Sequence, residues 1–334
     1  MRKVFKIFLI FLITLLAIIL FLFFFPFYKK VEKITWGVNF SQKHALLLNS
    51  DWKENYLSIL DDLKINNIKI LTSWDLLEPE KDNFQFQDLK WQIEEAQKRN
   101  VNLIVVIGMK TGRWPECHLP DYAKNLPKEK LQERILILLE KIVKEFKNYQ
   151  NIIAWQVENE PFFNFGECPF IKDENFLKKE VNLVKNLDPK RPIIISDSGE
   201  DSFWVKAAKI ADILSITMYR KVWLSEFNIP FTYPLTPNFY YLKEKFIEKI
   251  FHKKVICGEL QAEPWGKNLL YSLPLEEQKR LMPFEEFQKI ISFAKKTNFD
   301  TFYLWGAEWW YYMKKNNQVE YWQEIKSLIY ESRK

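Results

Sequence analysis

Cysteine, histidine and glycine are scarce in this chain of 334 residues, with three, three and eight copies respectively. The cysteines, Cys117, Cys168 and Cys257, do not have the spacing of a metal-ligand motif, so no metal site is expected. The glycine-rich fingerprint with which an open α/β sheet binds dinucleotide phosphates is also missing. The sequence therefore predicts a protein that needs neither a metal nor an organic cofactor.

Net positive charge is scarce outside the N-terminus. The formal net charge is +6, and residues 1–33 hold six Lys or Arg against one acid, Glu32, which leaves +1 for the remainder. In the remainder, lysines alternate with acids along predicted helices, as between Lys128 and Lys147, which is typical of a solvated helix face. The sequence therefore does not predict a nucleic-acid partner.

An uncharged, apolar segment extends from Ile7 to Tyr28. It is long enough to cross a bilayer as a helix, and positive charges flank both of its ends. A cleaved signal peptide is the alternative, although residues 26–28 offer no small-residue cleavage site. We expect an uncleaved membrane anchor within residues 1–33. The following domain, residues 34–334, would then lie on the extracytoplasmic side.

Short apolar runs alternate with amphipathic helical patterns in the rest of the chain, which indicates βαβ units around a parallel sheet. Eight runs are predicted strands: Thr35–Asn39, Ile68–Thr72, Asn102–Ile107, Ile152–Val157, Pro192–Asp197, Asp212–Met218, Lys254–Glu259 and Thr301–Trp305. The clearest helical patterns are Asp51–Ile65, Leu131–Phe146, Phe284–Lys296 and Tyr321–Tyr330. Eight such units match the size of a single (β/α)₈ TIM barrel, and an open, doubly wound sheet is the alternative.

The fourth predicted strand, Ile152–Val157, leads directly into polar residues. The strand is rich in β-branched side chains, and Pro161 ends it because proline lacks a backbone donor. Asn159 and Glu160 are therefore expected at the carboxyl end of a strand, where α/β folds place their chemistry. The alternative is an ordinary strand-to-loop turn with solvated side chains.

Acids and tryptophans recur wherever a predicted strand ends. They are Trp74 and Glu78 after the second strand, Trp114 and Glu116 after the third, Glu160 after the fourth, Glu200 and Trp204 after the fifth, Glu259, Glu263 and Trp265 at the seventh, and Trp305, Glu308, Trp309 and Trp310 at the eighth. Glycoside hydrolysis needs one carboxyl to protonate the leaving oxygen and another to attack the anomeric carbon or activate water. Flat aromatic rings suit the apolar faces of sugars. The pattern predicts a carbohydrate substrate.

From about residue 34 to residue 312, the sequence resembles the retaining clan A glycoside hydrolases, which are (β/α)₈ enzymes that include families 5 and 42. The most specific element is Asn159-Glu160-Pro161, and the resemblance implies that Glu160 is the general acid/base and that Asn159 binds the sugar 2-hydroxyl. Glu259 ends the seventh strand at the position that matches the nucleophile. Glu263, four residues later, is the alternative nucleophile.

The resemblance also implies sugar-binding residues. Trp305 resembles the platform under the cleaved sugar, Tyr219 the tyrosine that contacts the nucleophile, and Trp74 the tryptophan before a proline-bearing loop. For the tryptophans the alternative is packing in the core, and for a lone loop histidine it is a structural or solvated position. The predicted substrate-binding set is Asn159, Trp305, Tyr219, Trp74, Trp114, His118 and Trp265.

Two positions depart from the clan A pattern. Lys69 stands where the group often has an arginine that braces the nucleophile with two bonds, and lysine lacks that fork. Thr217 stands where a histidine often precedes the tyrosine of the sixth strand. These departures leave the subfamily open, although both predicted catalytic carboxylates are present.

The two loop cysteines raise the question of a disulfide. Cys117 follows the third predicted strand and Cys168 the fourth, and these strands are neighbours in a barrel. A disulfide between the two loops and a pair of free thiols are both open at this point. Cys257 lies in an apolar strand and is expected to be a buried thiol.

Together these features predict a membrane-anchored retaining glycoside hydrolase that works by double displacement. A catalytically silent barrel that binds cell-surface glycan is the alternative from another class of protein, and a transglycosylase would use the same carboxylates. The sugar, the linkage, endo or exo action and the oligomeric state are not determined by the sequence.

Overall fold

The structure is a computed structural model, and it describes residues 2–25, 31–170, 172–225 and 227–333. Its first element is helix α1, Arg2–Phe24. Among the described residues, no helix has the length and apolar content needed to cross a membrane. The transmembrane helix predicted for residues 7–28 is thus not supported. Helix α1 ends at Phe24, and the last three residues of the predicted segment lie outside the described part of the chain.

The described residues form ten strands in two sheets. The strands are β1 (Thr35–Phe40), β2 (Asn67–Leu71), β3 (Asn102–Ile107), β4 (Ile152–Val157), β5 (Ile193–Asp197), β6 (Ile213–Met218), β7 (Lys221–Leu224), β8 (Ile229–Thr232), β9 (Lys254–Gln261) and β10 (Thr301–Trp305). Eight of them close into a parallel barrel in the order β1-β10-β9-β6-β5-β4-β3-β2. The predicted (β/α)₈ barrel is confirmed, and the open sheet is excluded because β1 pairs with both β2 and β10.

Helices follow the strands around the outside of the barrel. After α1 they are α2 (Gln42–Leu47), α3 (Trp52–Asp61), α4 (Trp74–Leu77), α5 (Gln87–Lys98), α6 (Lys128–Phe146), α7 (Glu174–Leu187), α8 (Val205–Ile210), α9 (Pro237–Phe251), α10 (Leu275–Leu281), α11 (Phe284–Ala294), α12 (Ala307–Lys315) and α13 (Glu320–Glu331). Sequence chemistry explains where some begin. The Asp51 side chain accepts hydrogen bonds from the Lys53 and Glu54 backbone amides and so caps α3.

The predicted strands agree with the barrel strands to within two residues at each end. The largest difference is at β9, which continues two residues past Glu259 to Gln261. Strands β7 and β8 form an antiparallel hairpin outside the barrel, and the sequence did not predict it. Each hairpin strand has four residues, too few for a clear alternation of apolar and polar side chains.

The barrel interior is filled in layers, and the layers determine where the site lies. One layer consists of Ile104, Ala154, Ile194, Ile256 and Tyr303, which pack together as a small cluster. Side chains two residues apart on a strand point to the same face, so the strand residue two positions after Tyr303 also points inward, one layer nearer the carboxyl ends. That residue is Trp305, which packs with Leu71 and Val106.

Candidate active site

A cleft of about 440 Å³ lies over the carboxyl ends of the barrel strands. Seven of the nine predicted site residues line it together: Asn159, Glu160, Tyr219, Glu259, Trp305, Trp114 and Trp265. They come from strands or loops that are far apart in sequence. The barrel brings them together because the carboxyl ends of all its parallel strands meet on one face.

Glu259, in β9, is buried and has a donor on each carboxyl oxygen. The Lys69 Nζ donates to Oε1 at 3.0 Å, and the Tyr219 hydroxyl donates to Oε2 at 3.0 Å. Lys69 is itself buried in β2, so this ion pair is shielded from water. Lysine thus supplies one bond to the carboxylate and tyrosine the other, which holds the carboxylate in a fixed orientation without an arginine fork.

Glu160 follows β4 and is fixed by both its backbone and its side chain. Its backbone amide donates to the Ser196 Oγ at 2.7 Å. Its Oε1 accepts a hydrogen bond from the Thr217 hydroxyl at 3.0 Å. The same hydroxyl accepts a bond from the Gly199 amide, which directs the threonine proton toward Glu160. Thr217, in the position where clan A enzymes often have histidine, therefore contacts the carboxyl group directly.

The environment of Glu160 favours its protonated form. Burial raises the pKa of Glu160 to about 8; nearby Lys110 opposes the shift, while the charges of Glu259 and Glu116 add to it. A carboxyl group with this pKa keeps its proton at neutral pH. It can therefore donate a proton, which the charged carboxylate of a surface glutamate cannot do.

Asn159 is oriented by two donors that occupy its amide oxygen. The Gln156 Nε2 and the Ser196 Oγ each donate to Asn159 Oδ1 at 3.1 Å. This arrangement leaves the Asn159 Nδ2 group free to act as a donor, and it interacts with the Glu116 carboxyl group. Asn159 thus presents N–H groups beside the two buried glutamates.

Aromatic rings form the wall of the cleft. The Trp265 ring meets Tyr219 edge-on at 5.1 Å and Phe165 at 5.5 Å between ring centroids. Trp114, which is 37% exposed, lies 6.1 Å from Phe165. Trp305 is buried deeper, with 6% exposure. Such a wall offers flat apolar surfaces to the apolar faces of sugar rings.

A buried arginine that the sequence did not single out connects three loops. Arg113, after β3, forms ion pairs with Glu263, after β9, and with Glu308, after β10, the latter at 2.6 Å. Its guanidinium carbon lies 4.2 Å from the centroid of the Trp305 ring. Arg113 therefore holds Trp305 in place and occupies Glu263, the alternative nucleophile. No local sequence signal marks these ion pairs, because the two partners of Arg113 lie 150 and 195 positions away from it in the sequence.

Two predicted site residues lie outside the cleft. Trp74 is completely buried, and its Nε1 donates to the Glu78 carboxyl group at 2.8 Å. His118 is also buried, and its Nε2 lies 2.9 Å from the Gly112 carbonyl oxygen. Both residues support loops near the site. These are the alternatives that the sequence left open: packing in the core for Trp74 and a structural position for His118.

A disulfide connects Cys117 and Cys168, with 5.2 Å between their Cα atoms. The sequence left open either a disulfide or two free thiols, and the structure contains the disulfide. It joins the loop after β3 to the loop after β4, and the residue next to Cys117 is Glu116, which lines the cleft.

Cys257 is a buried free thiol, as expected. Among the described residues, no cluster of histidine, cysteine and acidic side chains is arranged to hold a metal ion.

Glycoside hydrolysis needs one carboxyl group that keeps its proton and another that stays charged and oriented. The environment of Glu160 favours its protonated form, whereas the carboxyl group of Glu259 is paired with Lys69, and both lie among aromatic rings at the carboxyl ends of the strands of a (β/α)₈ barrel. Fold and site together match those of the clan A glycoside hydrolases. The family model of cellulase (glycosyl hydrolase family 5) matches residues 34–242, more than half of the sequence. The chain belongs to glycosyl hydrolase family 5.

Solved structures with the same fold include several glycoside hydrolases. A GH5_18 protein from Streptomyces cattleya in complex with GlcNAc is 11% identical, with a TM-score of 0.59 over 82% of this chain and 70% of that one. A GH10 endoxylanase from a sugarcane soil metagenome is 14% identical, with a TM-score of 0.53 over 82% and 86%. At these identities the likeness shows the fold alone.

The β-galactosidase of the haloarchaeon Halorubrum lacusprofundi is 11% identical, with a TM-score of 0.55, and the match covers 81% of this chain. The chain spans about half the length of the β-galactosidases that it matches, 52% in this case. No curated protein matches the sequence significantly.

Proposed function

We propose that the protein is a retaining glycoside hydrolase that cleaves O-glycosidic bonds of an oligosaccharide or polysaccharide by double displacement. Glu259 is the nucleophile and Glu160 the general acid/base. The observation that carries this proposal is the contrast between the two carboxyl groups. Lys69 and Tyr219 hold Glu259 as an oriented carboxylate, whereas burial keeps Glu160 protonated.

In the first step, a Glu259 carboxylate oxygen attacks the anomeric carbon while Glu160 gives its proton to the departing glycosidic oxygen. The product is a glycosyl ester on Glu259. Formation of the ester removes the negative charge that raises the pKa of Glu160, so this pKa falls. In the second step, Glu160 takes a proton from water, the water oxygen attacks the anomeric carbon, and the Glu259 carboxylate is released.

Product stereochemistry tests the mechanism. The enzyme is first screened on polysaccharides and aryl glycosides, and the anomeric configuration of the first product is then followed by proton NMR. We expect the product to keep the configuration of the substrate. Inversion would contradict the double displacement.

A mechanism-based label tests the assignment of the nucleophile. A 2-deoxy-2-fluoro glycoside with a good leaving group should trap the ester, and peptide mass spectrometry should place the sugar on Glu259. Glu259→Gln should abolish turnover and leave the circular dichroism spectrum unchanged. Turnover by this variant, or a label on Glu263, would contradict the assignment.

We also propose an extracytoplasmic location for the barrel. The Cys117–Cys168 bond supports this location because structural disulfides persist in oxidising compartments. Attachment to the membrane through residues 7–28 stays a prediction from the sequence alone. Cell fractionation of the full chain and of a chain starting at residue 34 tests it, and equal recovery of both in the soluble fraction would contradict it.

A further inference from the structure

The cleft is rich in acid and poor in available base. Among the described residues, six acidic side chains line it: Glu116, Glu160, Glu200, Asp201, Glu259 and Glu263. The basic residue types that line it are His44, Arg113 and Lys267. Burial lowers the pKa of His44 well below its ordinary value, so this imidazole is neutral at neutral pH. Arg113 is already paired with two carboxylates, and Lys267 is exposed.

The two buried lysines near the catalytic pair do not pair with Glu116. Lys69 donates to Glu259. Lys110 donates to the backbone carbonyl oxygens of Glu160 and Phe163, each at 3.1 Å. The charge of Lys110 offsets part of the acidity, but neither ammonium group is a hydrogen-bond partner of Glu116.

Glu116 is the carboxyl group in the cleft that most clearly requires a ligand. Its side chain is 94% buried, as its exposed fraction is 6%. The Asn159 side chain hydrogen-bonds to the carboxyl group, but the Glu116 Oε2 atom has no hydrogen-bond partner among the described residues. A buried polar atom without a partner is unfavourable. Glu116 is also close to both proposed catalytic glutamates. The charge of Glu259 raises the pKa of Glu116, and the charge of Glu116 raises the pKa of Glu160.

The loop that carries Glu116 is held rigidly. The Glu116 amide donates to the Arg113 carbonyl at 2.5 Å, and the Thr111 amide donates to the Glu116 carbonyl at 3.0 Å. The next residue is fixed by the Cys117–Cys168 disulfide. These bonds fix the backbone at Glu116 beside the cleft, where a bound ligand can supply the missing partner of its carboxyl group.

We propose that Glu116 is a specificity-determining residue that binds the ammonium group of an unacetylated amino sugar, so that the cleft prefers hexosamine glycans to neutral ones. The proposal rests on the proposed function of the same cleft. An ammonium group supplies both the missing donor and the missing positive charge. A sugar hydroxyl supplies only the donor, and an acetamido group adds bulk without charge.

Three β-1,4-linked hexamers provide the test because they differ only in the substituent at C2: those of glucosamine, N-acetylglucosamine and glucose. Binding is measured by calorimetry on the Glu259→Gln variant at neutral pH, where the Glu116 carboxylate, with a pKa of about 7, and the protonated sugar amine are both populated. We expect the glucosamine hexamer to bind about tenfold or more tightly than the glucose hexamer, and Glu116→Gln in the same background to remove this difference.

Glu167→Gln is the matched control. It removes the same charge from an exposed position in the loop that contains Cys168 and should leave the preference unchanged. Equal binding of the glucosamine and glucose hexamers, or a preference that survives Glu116→Gln, would overturn the proposal. Because binding is measured without turnover, these outcomes are independent of the stereochemical and labelling tests of the mechanism.

Discussion

Two glutamates share one cleft, and their neighbours give them the different environments that the proposed mechanism requires. Glu259 receives hydrogen bonds from a buried ammonium group and a phenol. Glu160 receives one hydroxyl bond and lies beside other acids. The difference arises from environment and not from residue type, as is general for acid/base pairs in enzymes.

The pKa of Glu160 predicts the alkaline side of the pH–rate profile. The free enzyme needs protonated Glu160, so kcat/KM should fall as the pH rises through about 8. The Thr217 hydroxyl lowers this pKa because it donates to the charged form. Thr217→Val should therefore move the alkaline limb to higher pH. A limb at the same pH in both proteins would contradict the role of Thr217.

Lys69 should be important for turnover. Lys69→Met keeps the length of the side chain but removes the ammonium group from Glu259, and hydrogen bonds to charged groups are worth about 1.5–3 kcal/mol. We expect kcat/KM to fall about 10- to 100-fold. Steady-state kinetics on a protein whose circular dichroism spectrum is unchanged provide the measurement. Activity equal to that of the wild type would show that Tyr219 alone orients the carboxylate.

At the scale of elements, the loops after β3, β4, β9 and β10 are tied together above the barrel. The Cys117–Cys168 disulfide joins the first two, and Arg113 joins the first to Glu263 in the loop after β9 and to Glu308 in the first turn of α12, after β10. The β7–β8 hairpin adds Val222 and Trp223 to the cleft from the outside. Glu259 in β9 and Glu160 just after β4 thus form the proposed catalytic pair, and the tied loops form the walls of the cleft.

Loss of the disulfide should destabilise the protein. The bond closes a loop between residues 51 positions apart, and removal of such a bond costs about 2–5 kcal/mol. Replacement of both Cys117 and Cys168 by serine should lower the urea midpoint by a corresponding amount. Wild-type protein treated with reductant is the matched comparison. If the midpoint were the same with and without the bond, the loops would be held by other contacts alone.

At the scale of the whole molecule, the buried acids make stability depend on pH. Burial raises the pKa of Glu160 to about 8 and that of Glu116 to about 7. It also raises the pKa values of Glu158, just after β4, and Glu180, in α7, whose side chains interact with each other. The folded protein therefore binds protons that the unfolded chain, with an ordinary value of 4.5, has already released.

The sign of the effect follows from proton linkage. Where the native state binds more protons than the unfolded state, stability falls as the pH rises. The free energy of unfolding should thus decrease between about pH 4.5 and pH 8, the range set by the ordinary and the raised value of Glu160. Calorimetry at constant ionic strength measures this. Glu116→Gln should make the slope shallower, and stability that increases over the same range would contradict the assignment of these buried acids.

The sequence by itself determined the barrel, its strands and the position of the proposed catalytic pair. Apolar period, strand length and the residues that end each strand are local properties, and parallel strands place their carboxyl ends on one face. The location of Asn159, Glu160 and Glu259 in the cleft could therefore be predicted, and so could the possibility of the disulfide.

The tertiary structure decided which side chains serve the site and which serve the core. Trp74 and Trp114 each follow one of two neighbouring strands, yet Trp74 is completely buried and Trp114 is 37% exposed. The ion pairs of Arg113 and the unpartnered oxygen of Glu116 depend on loops that meet only in the folded chain. The burial of a side chain and its charge partners depend on residues that are distant in the sequence, so no local sequence pattern predicts them.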